Sequence, residues 1–318
     1  MGTSAQGEDL VHSVVDSFVY PEHSTIKAVT LPNGLHVEYA LHGNASAPDK
    51  LVLLMGLGAQ KEAWLLFLTA FYRKPGHLER FQVLTPDNRG AGGTDGPRGA
   101  YTTSQMAQDT LQLLDHLMWP RVHVAGVSMG GMIAQKLGAI APTRVRSLAL
   151  LVTTPGFSEA PAPGWSNVKA YASIFRCLLK PTHHAKTMAA LQVSYPAEYL
   201  ALAHDTMDAL YAIHSTRIKI GDQKPTGSWG QYRAVLNHRM SRANLQKIQE
   251  AGFPILILGA GQDRLIPVSH SKVLSDRLSG ARTNLVIVEA AGHMIHMQFR
   301  TKLVHILTEH LISCDRVK

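Results

Sequence analysis

The stretch Val122-His123-Val124-Ala125-Gly126-Val127-Ser128-Met129-Gly130-Gly131-Met132-Ile133-Ala134 sets a serine between two glycines, with an apolar run before it and a helix-compatible run after it. A serine hydroxyl is a poor nucleophile near neutral pH and needs exposure, a rigid backbone and an adjacent base. A sharp strand-to-helix turn supplies the exposure. Gly126 and Gly130 let the chain reverse there without side chains colliding with the backbone. The start of the following helix adds backbone N–H groups and a partial positive charge beside any oxyanion that forms. The chemistry implied is covalent catalysis through Ser128. The plainer alternative is a glycine-rich helix start that Ser128 only caps. With 17 histidines in the chain, composition does not select a base.

The elements that would position such a serine follow from hydrophobic patterning. Residues 29–31 and 35–41 flank Pro32-Asn33-Gly34, a turn signal between β-rich segments, so a hairpin is expected. Short apolar runs then occur at 51–55, 81–85, 122–125, 148–152, 254–258 and 285–288. Runs this continuous mark strands of a parallel sheet covered on both faces. Helix-compatible stretches lie between them at 62–72, 103–118, 129–140, 269–278 and about 298–311. The alternation breaks between about 156 and 250. That stretch opens with Pro/Gly-rich text, continues with helix-like segments at 168–179, 185–193 and 198–213, and includes a polar loop at 221–230. The expected architecture is α/β: a doubly wound, mostly parallel sheet with a helical insertion after its sixth or seventh strand. The expected division is an arm at 1–23, a core at 24–156 and 251–318, and a helical cap at 157–250.

Several stretches in this order resemble the α/β-hydrolase superfamily over nearly the whole chain, in its small esterase-like or aryl-peroxidase-like branch with a helical cap. They are Leu53-Leu54-Met55-Gly56-Leu57-Gly58, Asp87-Asn88-Arg89-Gly90-Ala91-Gly92-Gly93-Thr94-Asp95, the serine turn, Gly259-Ala260-Gly261-Gln262-Asp263-Arg264-Leu265-Ile266-Pro267 and Ala291-Gly292-His293. Gly230-Gln231-Tyr232-Arg233-Ala234-Val235-Leu236 is similar to a further segment of that branch. The resemblance implies a triad running serine, acid, histidine along the chain, each just past a strand end. That order points to His293 as base and Asp263 as its carboxylate. His296 is the runner-up histidine, and an acid after the preceding strand would have to be Glu159. The resemblance also implies an oxyanion hole from the backbone N–H groups of Met129 and Leu57, although many relatives carry a histidine where this chain has Met55. Asp87, Arg89 and Asp109 are read as bracing the loop at 88–94.

Serine at the turn argues against carboxylate-nucleophile chemistry on this fold, and an acyl-serine intermediate suits carboxylic esters and thioesters. Candidate pocket residues are Leu57, Trp64, Met129, Met132, Trp165 and Tyr171, an apolar set suited to short or medium acyl chains. Alternatives of other classes are a membrane-associated lipase or protein depalmitoylase, and a non-hydrolytic receptor or scaffold. The net charge of +8 is scattered with no run longer than a pair, against the clustering a nucleic-acid binder shows. His293 and His296 lack a third ligand at metal spacing, so neither metal nor cofactor is expected. Cys177 and Cys314 show no redox or metal spacing. With no signal peptide, no myristoylation site (Gln6 stands where Ser or Thr is needed) and no apolar run of membrane length, the expected setting is cytoplasmic. The expected partner is a small-molecule ester, and the oligomeric state is left open.

Overall fold

Side chains alternate between two cores along each central strand. In the strand Asp49–Leu54 (β3), Val52 and Leu54 enter one core while Leu51 and Leu53 enter the other. The same division holds for Val122–Val127 (β5), Val145–Leu151 (β6) and Ile255–Ala260 (β7). This is why these runs read as uniformly apolar: period-two alternation shows only where one face is wet. The computed structural model describes residues 20–178, 182–201, 207–208, 210–215, 225–280 and 282–314. Most of the expected arm at 1–23 therefore lies outside the described residues.

The sheet has eight strands in the order β1-β2-β4-β3-β5-β6-β7-β8, where β1 is Thr25–Thr30, β2 His36–His42, β4 Phe81–Pro86 and β8 Thr283–Val288. The pairs β1/β2 and β2/β4 are antiparallel and the remaining pairs are parallel. One face carries the helices Thr103–His116 (α3), Met129–Ile140 (α4), Arg242–Glu250 (α9) and Val268–Arg277 (α10). The other carries Leu65–Tyr72 (α1) and Arg300–Ser313 (α12). Further helices, in chain order, are His77–Arg80 (α2), Trp165–Leu178 (α5), His183–Ser194 (α6), Ala197–Leu200 (α7), Pro225–Leu236 (α8) and Ile295–Gln298 (α11). The winding reverses between β3 and β5, and the carboxyl ends of strands at such a reversal form a crevice.

Of the two positions expected for the insertion, it takes the one after the sixth strand, and other expectations are corrected in detail. The stretch 62–72 divides into a 3-10 turn, Lys61–Trp64, and α1. Of the polar loop expected at 221–230, residues 225–230 belong to α8 and 221–224 lie outside the described residues. The end of the insertion packs with the core: Ala234, Leu245 and Ile248 join the cluster formed by β5, β6 and α4. On α9 the buried Leu245 and Ile248 lie three residues apart, and Ser241 caps its start by accepting from Asn244 N. Part of the helix expected at 198–213 lies outside the described residues. Among the described residues no helix is long and apolar enough to cross a membrane.

Candidate active site

Ser128 is the residue between β5 and α4, with φ 55° and ψ −119°. A non-glycine residue in this region costs on the order of 1–3 kcal/mol, so the surroundings must hold it there. Ser128 N donates to Leu151 O (2.9 Å), and Ser128 O accepts from Gly131 N (3.0 Å) and from Thr153 Oγ1 (2.7 Å). The flanking glycines are required by close approach. A Cβ on Gly126 would lie 2.2 Å from Gly130 O, and one on Gly130 would lie 2.1 Å from Leu54 O. Ser128 is partly exposed although its neighbours Val127 and Met129 are buried.

Asp263 follows β7 and His293 follows β8, thirty residues apart and hydrogen-bonded, with His293 Nδ1 to Asp263 Oδ2 at 2.7 Å. The Asp263 side chain is fully buried. Its other oxygen accepts from Leu265 N (2.8 Å) and Ile266 N (2.9 Å). A carboxylate only accepts, so His293 Nδ1 must donate, and in the neutral ring Nε2 is then left as an acceptor. Among the described residues no hydrogen bond joins Ser128 Oγ to the His293 ring. In unliganded sites such bonds are often long and tighten with substrate. Glu159 is committed elsewhere, in ion pairs with Arg239 and Arg277. The hydrogen bond from Arg239, aided by Arg277, outweighs burial and holds its carboxyl below the usual range. His296 is buried with its ring 5.4 Å from that of Trp64. Among the described residues no cluster of three or more metal-ligating side chains occurs.

The loop after β3 lies against the serine. Gly56, if given a Cβ, would place it 3.3 Å from Ser128 Cβ and 3.8 Å from Oγ. This brings Leu57 into the neighbourhood of the start of α4, where Met129 N–H is one of the helix's unused donors. The expected pocket residues divide. Met132 is fully buried one turn after Ser128. Tyr171 is half-buried and donates to Leu265 O at 2.6 Å, so it sits beside the acid loop. Trp64 is core, packed edge-on against Phe67. Trp165 is 72% exposed at the start of α5, with Lys169 over its ring, and so faces outward.

The insertion touches all three loops. Asn167 Nδ2 on α5 donates to Asp263 O (3.3 Å), Met294 N donates to Ser194 O at the end of α6 (3.3 Å), and Gly58 N donates to Gln231 Oε1 on α8 (2.7 Å). Thr153, Asn88 and Gln231 were not singled out from the sequence. Asn88 and Gln231 lie within stretches that carry the resemblance, but neither was given a role there.

The family model of the alpha/beta hydrolase fold matches residues 50–299, well over half of the chain, and the chain belongs to this family. The dihydrolipoyllysine-residue acetyltransferase component of the acetoin cleaving system of Cupriavidus necator is 28% identical over 280 residues, covering 88% of this chain and 67% of that protein. A poly(3-hydroxyalkanoate) depolymerase of Ectopseudomonas oleovorans is 28% identical over 236 residues, covering 74% of this chain and 76% of its own. The crystal structure of the enol-lactonase from Burkholderia xenovorans LB400 superposes with a TM-score of 0.71 at 21% identity, covering 90% of this chain and 100% of that one. At that identity the likeness is one of fold.

Proposed function

We propose that the chain is a serine hydrolase cleaving carboxylic esters or thioesters of short to medium acyl chains through an acyl-Ser128 intermediate. The observation that carries the reading is the buried His293–Asp263 hydrogen bond, on loops at the same sheet edge as the strained Ser128. Ser128 Oγ attacks the substrate carbonyl carbon while His293 Nε2 takes its proton. Asp263 holds the ring in the required tautomer and stabilises the imidazolium. The oxyanion accepts from Leu57 and Met129 N–H. Collapse expels the alcohol or thiol, which takes the proton from His293. Water, activated by the same ring, then releases the acid and restores Ser128. The poly(3-hydroxyalkanoate) depolymerase relative is an ester-bond enzyme by name, which agrees with this reading without fixing the substrate.

The helices between β6 and β7 act as a cap. With contacts to each loop, they exclude water and limit the acyl group, with Met132 and Tyr171 near the serine and acid loops. Each methylene accepted adds about 0.8 kcal/mol until the wall is reached. A series of p-nitrophenyl esters should show kcat/KM rising and then falling with chain length. Preference for the longest esters, with activation by lipid aggregates, would overturn the size limit.

A further inference from the structure

The donor loop after β3 is held on both sides of its central peptide. Asn88 Nδ2 donates to Met55 O (2.8 Å), which fixes the peptide plane between Met55 and Gly56. Gln231 Oε1 accepts from Gly58 N (2.7 Å), which fixes the plane between Leu57 and Gly58. The peptide between these two carries the Leu57 N–H. Gln231 is fully buried and its amide nitrogen donates to Arg89 O at 2.9 Å, so both ends of the side chain are committed. Rotating the amide by half a turn would set NH₂ against N–H and oxygen against oxygen, so only one orientation is satisfied. Its anchor is firm: Arg89 makes two hydrogen bonds to Asp109, at 2.9 and 2.7 Å. Helix α8 comes near enough because Gly227 lies against Gly90, where a Cβ on Gly227 would be 2.2 Å from Gly90 O.

We propose that Gln231 is a positioning residue for the oxyanion hole, setting the direction of the Leu57 N–H from 173 residues away through Gly58. The inference rests on the ester-hydrolase reading above. An oxyanion donor acts mainly on the transition state, so a donor turned aside lowers kcat and leaves substrate binding nearly unchanged. Gln231→Leu keeps the volume and removes the acceptor. Gln231→Glu keeps an acceptor for Gly58 N and, protonated as burial favours, offers a hydroxyl donor to Arg89 O.

The test is kcat and KM for a p-nitrophenyl ester, alongside inhibition by an aryl trifluoromethyl ketone, whose tetrahedral adduct places an oxyanion in the hole. In Gln231→Leu, kcat should fall about tenfold to a hundredfold with KM within about twofold, and ketone affinity should fall in parallel. Gln231→Glu should recover most of both. Should the leucine protein fail to fold, Gln231→Met, of similar length and also without the oxygen acceptor, gives the same comparison. Unchanged kcat and ketone affinity would overturn the proposal, as would a loss carried by KM alone. A parent enzyme without Ser128-dependent turnover would remove the hydrolase reading and this one with it. A parent that is active, Ser128-dependent and indifferent to Gln231 removes only this one.

Discussion

Asp263 divides its two oxygens between a histidine ring and two backbone N–H groups, and that division decides what an amide in its place would do. In Asp263→Asn the carbonyl oxygen suits Leu265 and Ile266 N–H, which turns NH₂ toward His293 Nδ1. The ring must then accept at Nδ1 and carry its proton on Nε2, the wrong tautomer for a base. We expect kcat to fall by roughly 10³–10⁴ with little loss of stability. Glu159→Gln, at a carboxylate already paired with Arg239 and Arg277, should stay within about twofold in kcat. Steady-state rates for the two variants check this, and the reverse pattern would place the acid after β6. At this scale, Ser128 was legible because its glycines and flanking elements are local in the chain. Asp263 and His293 were legible through order past strand ends. Thr153, Asn88 and Gln231 were not, because each binds a backbone atom distant in sequence, and such a partner leaves no mark on residue type.

At the scale of elements, buried strands announced themselves and the insertion showed as a break in their alternation, but the ends of its helices did not. Strands covered on both faces are continuous apolar runs whatever their neighbours. Helices that lie over loops bury only a narrow stripe, and their ends depend on local chemistry such as Thr182 Oγ1 accepting from Ala185 N at the start of α6. The approach of α8 to the loop at Gly90 is a tertiary fact that no periodicity reports. It is testable through Gly227. Its Ala variant should lose about 1–3 kcal/mol in urea unfolding, because the new Cβ meets backbone that cannot yield. Gly164→Ala is the control. Its Cβ would have Asn167 Oδ1 as nearest atom at 3.6 Å, and its stability should stay within about 0.5 kcal/mol of the parent. Equal effects at the two glycines would contradict the close packing of α8.

For the molecule as a whole, the buried histidines set an acid limit. Burial pushes His42 and His310 down to about 4, and His238 to about 3, from an ordinary 6.5. The unfolded chain therefore takes up protons below about pH 6.5 that the folded chain refuses until about pH 4. Stability from these rings is complete above pH 6.5 and is lost as pH falls toward 4 and below, on the order of 3–5 kcal/mol per ring at the limit. The urea midpoint should fall steadily between pH 6.5 and 4.5. In His42→Gln, where the ring now bonds Ser24 Oγ and Thr85 Oγ1, the slope should be shallower. A midpoint independent of pH over that range would contradict it. The architecture of one sheet between two helical layers was legible from alternation of run types along the chain. The buried Lys61, paired with Glu38, Glu62 and Asp87, was not, since a lone lysine in sequence looks like surface.

The most direct test of Ser128 as nucleophile is intact-protein mass after exposure to a fluorophosphonate probe, which phosphonylates only an activated serine. The parent should gain a single adduct that maps to Ser128. Ser128→Ala should gain none, and His293→Ala should react far more slowly. A parent that remains unlabelled, or a Ser128→Ala protein that still takes up the probe at the parent's rate, would contradict the assignment.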